Sequence, residues 1–145
     1  MAIPSIESIE EDLSFFDDWE ERYRYLIDLG KALPEMPEDL KTADNIVHGC
    51  TSQVWLEARL DSCLGAGATD DQVHLQMDSD ALIVRGLLAL VAAAYANKTP
   101  AAIVAFDINA LFDRLDLLSH LSMTRGNGLQ AMVTRIQTLA AEMTH

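Results

Sequence analysis

Apolar residues recur at helical spacing at the start of the chain, at Ile6, Ile9, Leu13 and Phe16. That period predicts an α-helix over residues 5–17, with Glu7, Glu10, Glu11 and Asp12 on the wet face. Ser5 is the expected N-cap, with Ser8 an alternative paired to Glu11 in capping-box spacing. A second helical pattern starts at Asp18 or Trp19 and runs to Leu33, its apolar side made of Trp19, Tyr23, Leu26, Ile27 and Leu29. Gly30 lies near its end, and Pro34 and Pro37 stop it, because proline cannot continue a helix. Residues 34–43 read as an ordered linker, and Asn45-Ile46-Val47 as a short strand.

The period then changes from helical to alternating. Val73, Leu75 and Met77 alternate with Gln72, His74 and Gln76, which predicts a strand with one buried and one wet face. Together with residues 53–62 it forms a predicted hairpin, its turn marked by Gly65, Gly67, Thr69, Asp70 and Asp71. The longest apolar run follows, from Ala81 to Ala96, interrupted by Arg85 and Gly86. Its 16 residues fall short of the roughly 20 needed to span a bilayer, so it reads as a core helix capped by Ser79 or Asp80. Thr99-Pro100 begins another helix, residues 107–118 contain a short one, and a last helix starts near Ser122 or Thr124. Its apolar face is Ala131, Met132, Ile136, Leu139 and Ala140. The pattern as a whole is α+β: a small antiparallel sheet of about three strands packed against several helices.

The 145 residues suit one domain, 1–145, and half of them are hydrophobic, enough for a sizeable core. A formal net charge of −13 argues against non-specific nucleic-acid binding and against docking on anionic lipid, both of which need a basic face. It permits a basic protein partner. Eight acids and no base lie between Glu7 and Glu21. They read as a solvated face whose acids sit near helix starts, where the dipole favours them, rather than as a docking surface. The N-terminus carries acids where a signal peptide would carry a basic and then an apolar region, so a cytoplasmic protein is expected.

Two cysteines, Cys50 and Cys63, are therefore expected to be reduced. One extended strand over residues 53–61 would hold them roughly tens of Å apart, too far for a disulfide or a shared metal. Cys63, at the start of the hairpin turn, is expected to have no chemical role. Cys50 stands differently, in His48-Gly49-Cys50-Thr51-Ser52-Gln53-Val54-Trp55. Here a thiol follows a glycine at the end of a loop, among small polar side chains, just before a strand of β-formers. A thiol at a loop mouth is positioned for chemistry, whereas one in mid-strand usually packs.

This stretch resembles the sulfur-acceptor loop of the SufE family. Trp19-Glu20-Glu21-Arg22-Tyr23 through Leu29-Gly30-Lys31-Ala32-Leu33-Pro34 resembles that family's second helix, and Asp78-Ser79-Asp80-Ala81-Leu82-Ile83-Val84-Arg85-Gly86-Leu87 the start of its central helix. Phe106-Asp107, His120-Leu121-Ser122 and Gly128-Leu129-Gln130-Ala131-Met132 fit its C-terminal part. The resemblance implies a SufE/IscU-like fold and a protein that takes persulfide sulfur from a cysteine desulfurase of the SufS or CsdA type. It implies that Cys50 is the acceptor, in a loop that sits sheltered and moves outward on docking. It implies that the sulfur passes on to a SufBCD-type scaffold for iron–sulfur cluster assembly. Pyridoxal phosphate would belong to the desulfurase, and this chain would carry no cofactor of its own.

Sulfur transfer needs the thiolate. His48, two residues from Cys50, is the candidate base, unless it is only a surface residue on a strand edge and activation comes from the partner. Arg125, with Asn127, falls in the segment resembling a family surface and is a candidate docking residue; Asp80 is another. Asp78 and Asp80 could form a paired-carboxylate site, but their place before a helix makes capping the expected role. Gly126 and Gly128 do not make a phosphate loop, since no strand precedes them and no lysine follows in the required place. Two other functions compete. An IscU-like iron–sulfur or zinc scaffold needs several convergent ligands, and one well-placed cysteine with His48 as a weak second is a poor set. A thiol peroxidase or redox sensor would lack a resolving partner for Cys50.

Overall fold

The computed structural model describes residues 4–47, 53–61, 72–96 and 98–143. It contains helices α1 (Ile6–Phe15), α2 (Trp19–Lys31), α3 (Leu82–Tyr95), α4 (Pro100–Ala105), α5 (Ile108–Leu115) and α6 (Met123–Met143). Strands β1 (Val54–Asp61) and β2 (Gln72–Ser79) form an antiparallel pair between α2 and α3. The expected α+β architecture with a small sheet is thus what the chain adopts.

Helix starts follow local chemistry. Ser5 accepts from the Ser8 amide at 3.2 Å, Thr99 from Ala102 at 3.2 Å and Asp107 from Ala110 at 3.2 Å. Asp18 takes the Glu20 amide at 2.7 Å, and Ser122 takes the Arg125 amide at 3.1 Å. Each satisfies a donor that the first helical turn leaves without a partner. α5 ends on Asp116 in the left-handed region (φ 53°), where its own amide closes onto Asp113 and Phe112.

α3 is the centre of the core. Ten of its fourteen residues are buried, with Leu87, Leu88 and Leu90 fully so, each worth about 1.5–3 kcal/mol. α2 crosses it at Gly30 and Gly86. A Cβ on Gly86 would lie 2.1 Å from the Leu26 carbonyl oxygen, and one on Gly30 would lie 2.6 Å from the Gly86 nitrogen. Backbone therefore meets backbone at the crossing, which explains a glycine in the middle of a buried helix.

The sheet register pairs Val54 with Ser79, Trp55 with Asp78, Leu56 with Met77 and Leu60 with Val73. Val54, Leu56, Val73 and Met77 are buried, as the alternation predicts; Trp55, Glu57, Arg59, His74, Gln76 and Asp78 share the other face. The expected third strand at residues 45–47 is instead a single bridge, Ile46 to Trp55. The physical reason lies just upstream. A 3-10 turn at Ala43–Asn45 takes Asn45 and the residues that would have extended the strand upstream, leaving only Ile46 and Val47 to pair among the described residues. The linker is ordered as expected, with a further 3-10 turn at Glu38–Leu40.

α6 presents the expected apolar face, Met132, Ile136 and Ala140 buried, and adds Leu129 and Val133. Among the described residues no helix is long and apolar enough to cross a membrane. The acid-rich N-terminal face is mostly solvated, as expected; Glu10 and Asp12 find partners in Arg114 (3.1 Å) and the Tyr25 hydroxyl (2.8 Å). Burial, then the Asp12 carboxylate, pushes the Tyr25 phenol up, so it stays protonated and donating.

Candidate functional site

The chemistry expected from the sequence centres on Cys50 and His48, which lie, with Cys63, outside the described residues. What the structure defines is the frame on both sides of residues 48–52. On the incoming side, the Val47 amide donates to the Val54 carbonyl at 2.9 Å, beside the Ile46–Trp55 bridge. On the outgoing side, the Gln53 amide donates to the Asp80 carboxylate at 3.1 Å, and the Asp80 amide returns a bond to the Gln53 carbonyl at 3.3 Å. Among the described residues, the segment that carries Cys50 is thus closed at its base by backbone bonds and fastened by the Asp80 side chain.

That side chain corrects an expectation. Asp80 does not cap α3: the helix starts at Leu82 after Ala81, and the Ala81 amide bonds to Ser79 Oγ at 3.2 Å. The Asp80 carboxylate is taken by Gln53, 27 residues away in sequence, which nothing local could have indicated. Loss of this fastening is expected to show locally. Asp80→Ala should leave global stability within about 1 kcal/mol, since the bond is exposed, yet speed hydrogen exchange at the Gln53 amide. Asp80→Asn keeps an acceptor and should exchange as wild type. An unchanged Gln53 amide in Asp80→Ala would show that the backbone bonds alone hold the base.

Asp78 is neither a helix cap nor half of a carboxylate pair. It is buried, its side chain 6% exposed, and carries two cations. Arg85 bonds Oδ1, which also takes the Ser79 amide at 2.8 Å, and Lys41 Nζ lies 3.4 Å from Oδ2. Arg85 spans further, donating to the Leu33 carbonyl at the end of α2 at 3.0 Å. The Lys41 ammonium also sits 5.2 Å from the centre of the Trp55 ring, within cation–π range. Burial pulls the Lys41 pKa down, but Asp78 and then Glu38 outweigh it and leave it raised, so Lys41 is charged at neutral pH. The cluster borders a cleft of about 310 Å³ lined by Glu35, Met36, Pro37, Glu38, Lys41 and Asp78. Lys41 and Arg85 are the site residues that sequence reasoning missed. Arg85 had a signal, because a cation in a buried helix demands a partner. Lys41 had none.

Arg125 is exposed in the first turn of α6 and makes no ion pair with a described residue. It is not part of the frame. Arg135, on the same helix, does reach the incoming segment, donating to the Asp44 carbonyl at 3.1 Å. Arg125 lies ten residues, about 15 Å along the axis, from Arg135. Nearer its own end of the helix, His120 stacks on Trp19 with centroids 4.1 Å apart, and Met123 is 83% exposed. Among the described residues, no three His, Cys, Asp or Glu side chains converge to hold a metal ion.

The profile of the SufE family, described as an Fe-S metabolism associated domain, matches residues 7–140. The chain is 44% identical over 136 residues to an uncharacterized SufE-like protein of Rhizobium meliloti, covering 94% of both chains. It is 46% identical over 138 residues to an uncharacterized SufE-like protein of Rhizobium etli, covering 94% of this chain and 90% of that one. Its fold is similar to the solution structure of a hypothetical protein from Thermus thermophilus, with a TM-score of 0.74 at 18% identity over 98% and 97% of the two chains. A match over nearly the whole sequence, on a fold that closes a hydrogen-bonded frame around the Cys50 segment, makes this chain a member of the SufE family, associated with iron–sulfur metabolism.

Proposed function

We propose that this protein accepts persulfide sulfur on Cys50 from a pyridoxal-phosphate cysteine desulfurase of the SufS or CsdA type. It thereby stimulates that enzyme, and hands the sulfur on to a SufBCD-type scaffold. The Cys50 thiolate attacks the terminal sulfur of the donor's persulfide. The donor's S–S bond breaks, its cysteine leaves as a thiolate, and a new S–S bond forms on Cys50, which becomes the persulfide. No electrons are gained or lost overall, so no redox cofactor is needed. The observation that supports this reading is the closed frame at Val47–Val54 and Gln53–Asp80, on either side of residues 48–52 in a SufE-family chain. His48 is the residue in that segment able to take the thiol proton.

The test is intact mass after incubation with a desulfurase and cysteine. The expected result is the gain of a sulfur atom, removable by thiol reductant. No gain, together with iron or zinc bound to the purified protein, would favour a scaffold instead.

Arg125, exposed and not ion-paired to a described residue, is proposed as a docking contact. Loss of one exposed charged contact costs about 1 kcal/mol or less, and of a hydrogen bond to a charged group about 1.5–3. Arg125→Ala should therefore raise the dissociation constant for the desulfurase by a few-fold to roughly a hundredfold. Alkylation of Cys50 should stay unchanged, since docking and thiolate formation are separate steps. Calorimetric titration and alkylation kinetics check both halves, and unchanged affinity would remove Arg125 from the interface.

A further inference from the structure

The two cations on Asp78 are not equivalent. Arg85 belongs to the core helix α3 and, with the Ser79 amide at 2.8 Å, holds Oδ1, whereas Oδ2 is left to Lys41 at 3.4 Å. Lys41 belongs to the segment between the two 3-10 turns, which leads through Ile46 and Val47 to the residues carrying Cys50. Its side chain is 22% exposed and touches both strands at one level: Asp78 of β2 at 3.4 Å, and the ring of Trp55 in β1 at 5.2 Å. Trp55 and Asp78 are register partners, and Trp55 also bridges Ile46. Lys41 thus pins the incoming segment to the outgoing strand. Other side-chain ties on that segment are Lys41 to Glu38 at 3.5 Å and Asn45 to the Leu40 carbonyl at 2.7 Å, both local, and Arg135 to the Asp44 carbonyl at 3.1 Å.

We infer that Lys41 is a positioning residue for Cys50: its ammonium, held by Asp78 and the Trp55 ring, fixes the segment that leads to the thiol. The inference rests on the reading that Cys50 is a sulfur acceptor. Lys41 ties the incoming segment to the sheet through Oδ2 and the Trp55 ring, whereas Arg85 ties α3 to the same carboxylate through Oδ1.

The test compares Lys41→Met, which keeps the apolar stem and removes the charge, with Lys41→Arg, which keeps the charge and the ring contact. Both are made in a Cys63→Ser background, so that one thiol reacts. Misplacement of a reacting group is expected to slow persulfide uptake in Lys41→Met by roughly three- to tenfold, with recovery to within about twofold in Lys41→Arg. In alkylation by iodoacetamide, Lys41→Met should change the plateau rate at high pH by about twofold or more, with the pH midpoint unmoved, because a through-space charge effect would shift the midpoint. Lys41→Met matching the parent in both rates overturns the inference. So does a moved midpoint, which would make Lys41 a thiolate-activating charge, and so does a Lys41→Arg protein as slow as Lys41→Met. A parent protein that takes up no sulfur overturns the acceptor reading instead. The alkylation plateau then still decides the role of Lys41.

Discussion

Cys50→Ser is expected to take up no sulfur from a desulfurase and cysteine, while unfolding at nearly the wild-type temperature. A serine hydroxyl is not ionised near neutral pH and forms no persulfide, so the loss is complete rather than graded. The fold should tolerate the change because the swap is nearly isosteric, and the frame at the base of the segment is made by Val47, Gln53, Val54 and Asp80, none of which is altered. Cys63→Ser is the matching control and should be almost silent. Intact mass and the rate of alanine release by the desulfurase read both proteins. Stimulation by Cys50→Ser equal to wild type would sink the proposed function. A loss of more than about tenfold in Cys63→Ser would bring the second thiol into the chemistry.

Gly86→Ala should be among the most destabilising small substitutions in the chain, although alanine is favoured over glycine by about 1 kcal/mol inside a helix. The added Cβ would stand 2.1 Å from the carbonyl oxygen of Leu26 and 2.6 Å from its carbonyl carbon. Those atoms are helix backbone, so relief requires α2 and α3 to separate by more than an ångström, loosening Leu26, Leu29 and Leu87 between them. Overpacking of this kind costs about 1–3 kcal/mol and at times more. A net loss of about 2 kcal/mol, seen as a fall of roughly 5–10 °C in unfolding temperature, is expected. Gly126→Ala makes the contrast: the nearest atom to its Cβ is Leu118 Cδ2 at 4.0 Å, so only the helix preference should act. Equal unfolding temperatures for Gly86→Ala and wild type would show that the crossing has slack.

The difference between these two glycines shows what the sequence could reveal. Helix starts were legible because a cap such as Ser5, Thr99 or Ser122 bonds an amide three residues away. The hairpin was legible because its faces alternate in polarity. Gly86, by contrast, reads only as an interruption in an apolar run until α2 is laid across it. Asp80 sits where a helix cap would, and its true partner, Gln53, is fixed by tertiary structure. The missing third strand has a local cause, the turn at Ala43–Asn45, but no proline or glycine announced it. In the site itself, Cys50 was singled out by its own loop and family pattern. Lys41 was not, because its partners Asp78 and Trp55 lie on strands that only the folded hairpin brings beneath it.

The single bridge at Ile46 has a further consequence for how molecules of this protein meet one another. A third strand would have covered the outer edge of β1. One bridge covers only its beginning, so beyond Trp55 the edge has no ladder partner among the described residues. Such an edge is a template onto which a strand of another molecule can add. Here Glu57 and Arg59 alternate with the core-facing residues along that strand. A second copy pairing there would bring its own Glu57 and Arg59 alongside them, so the charges favour registers that set Glu57 against Arg59 and oppose those that set like charges together. Among the described residues the fold therefore leaves the β1 edge beyond Trp55 open, with charge selecting the register of any strand added there.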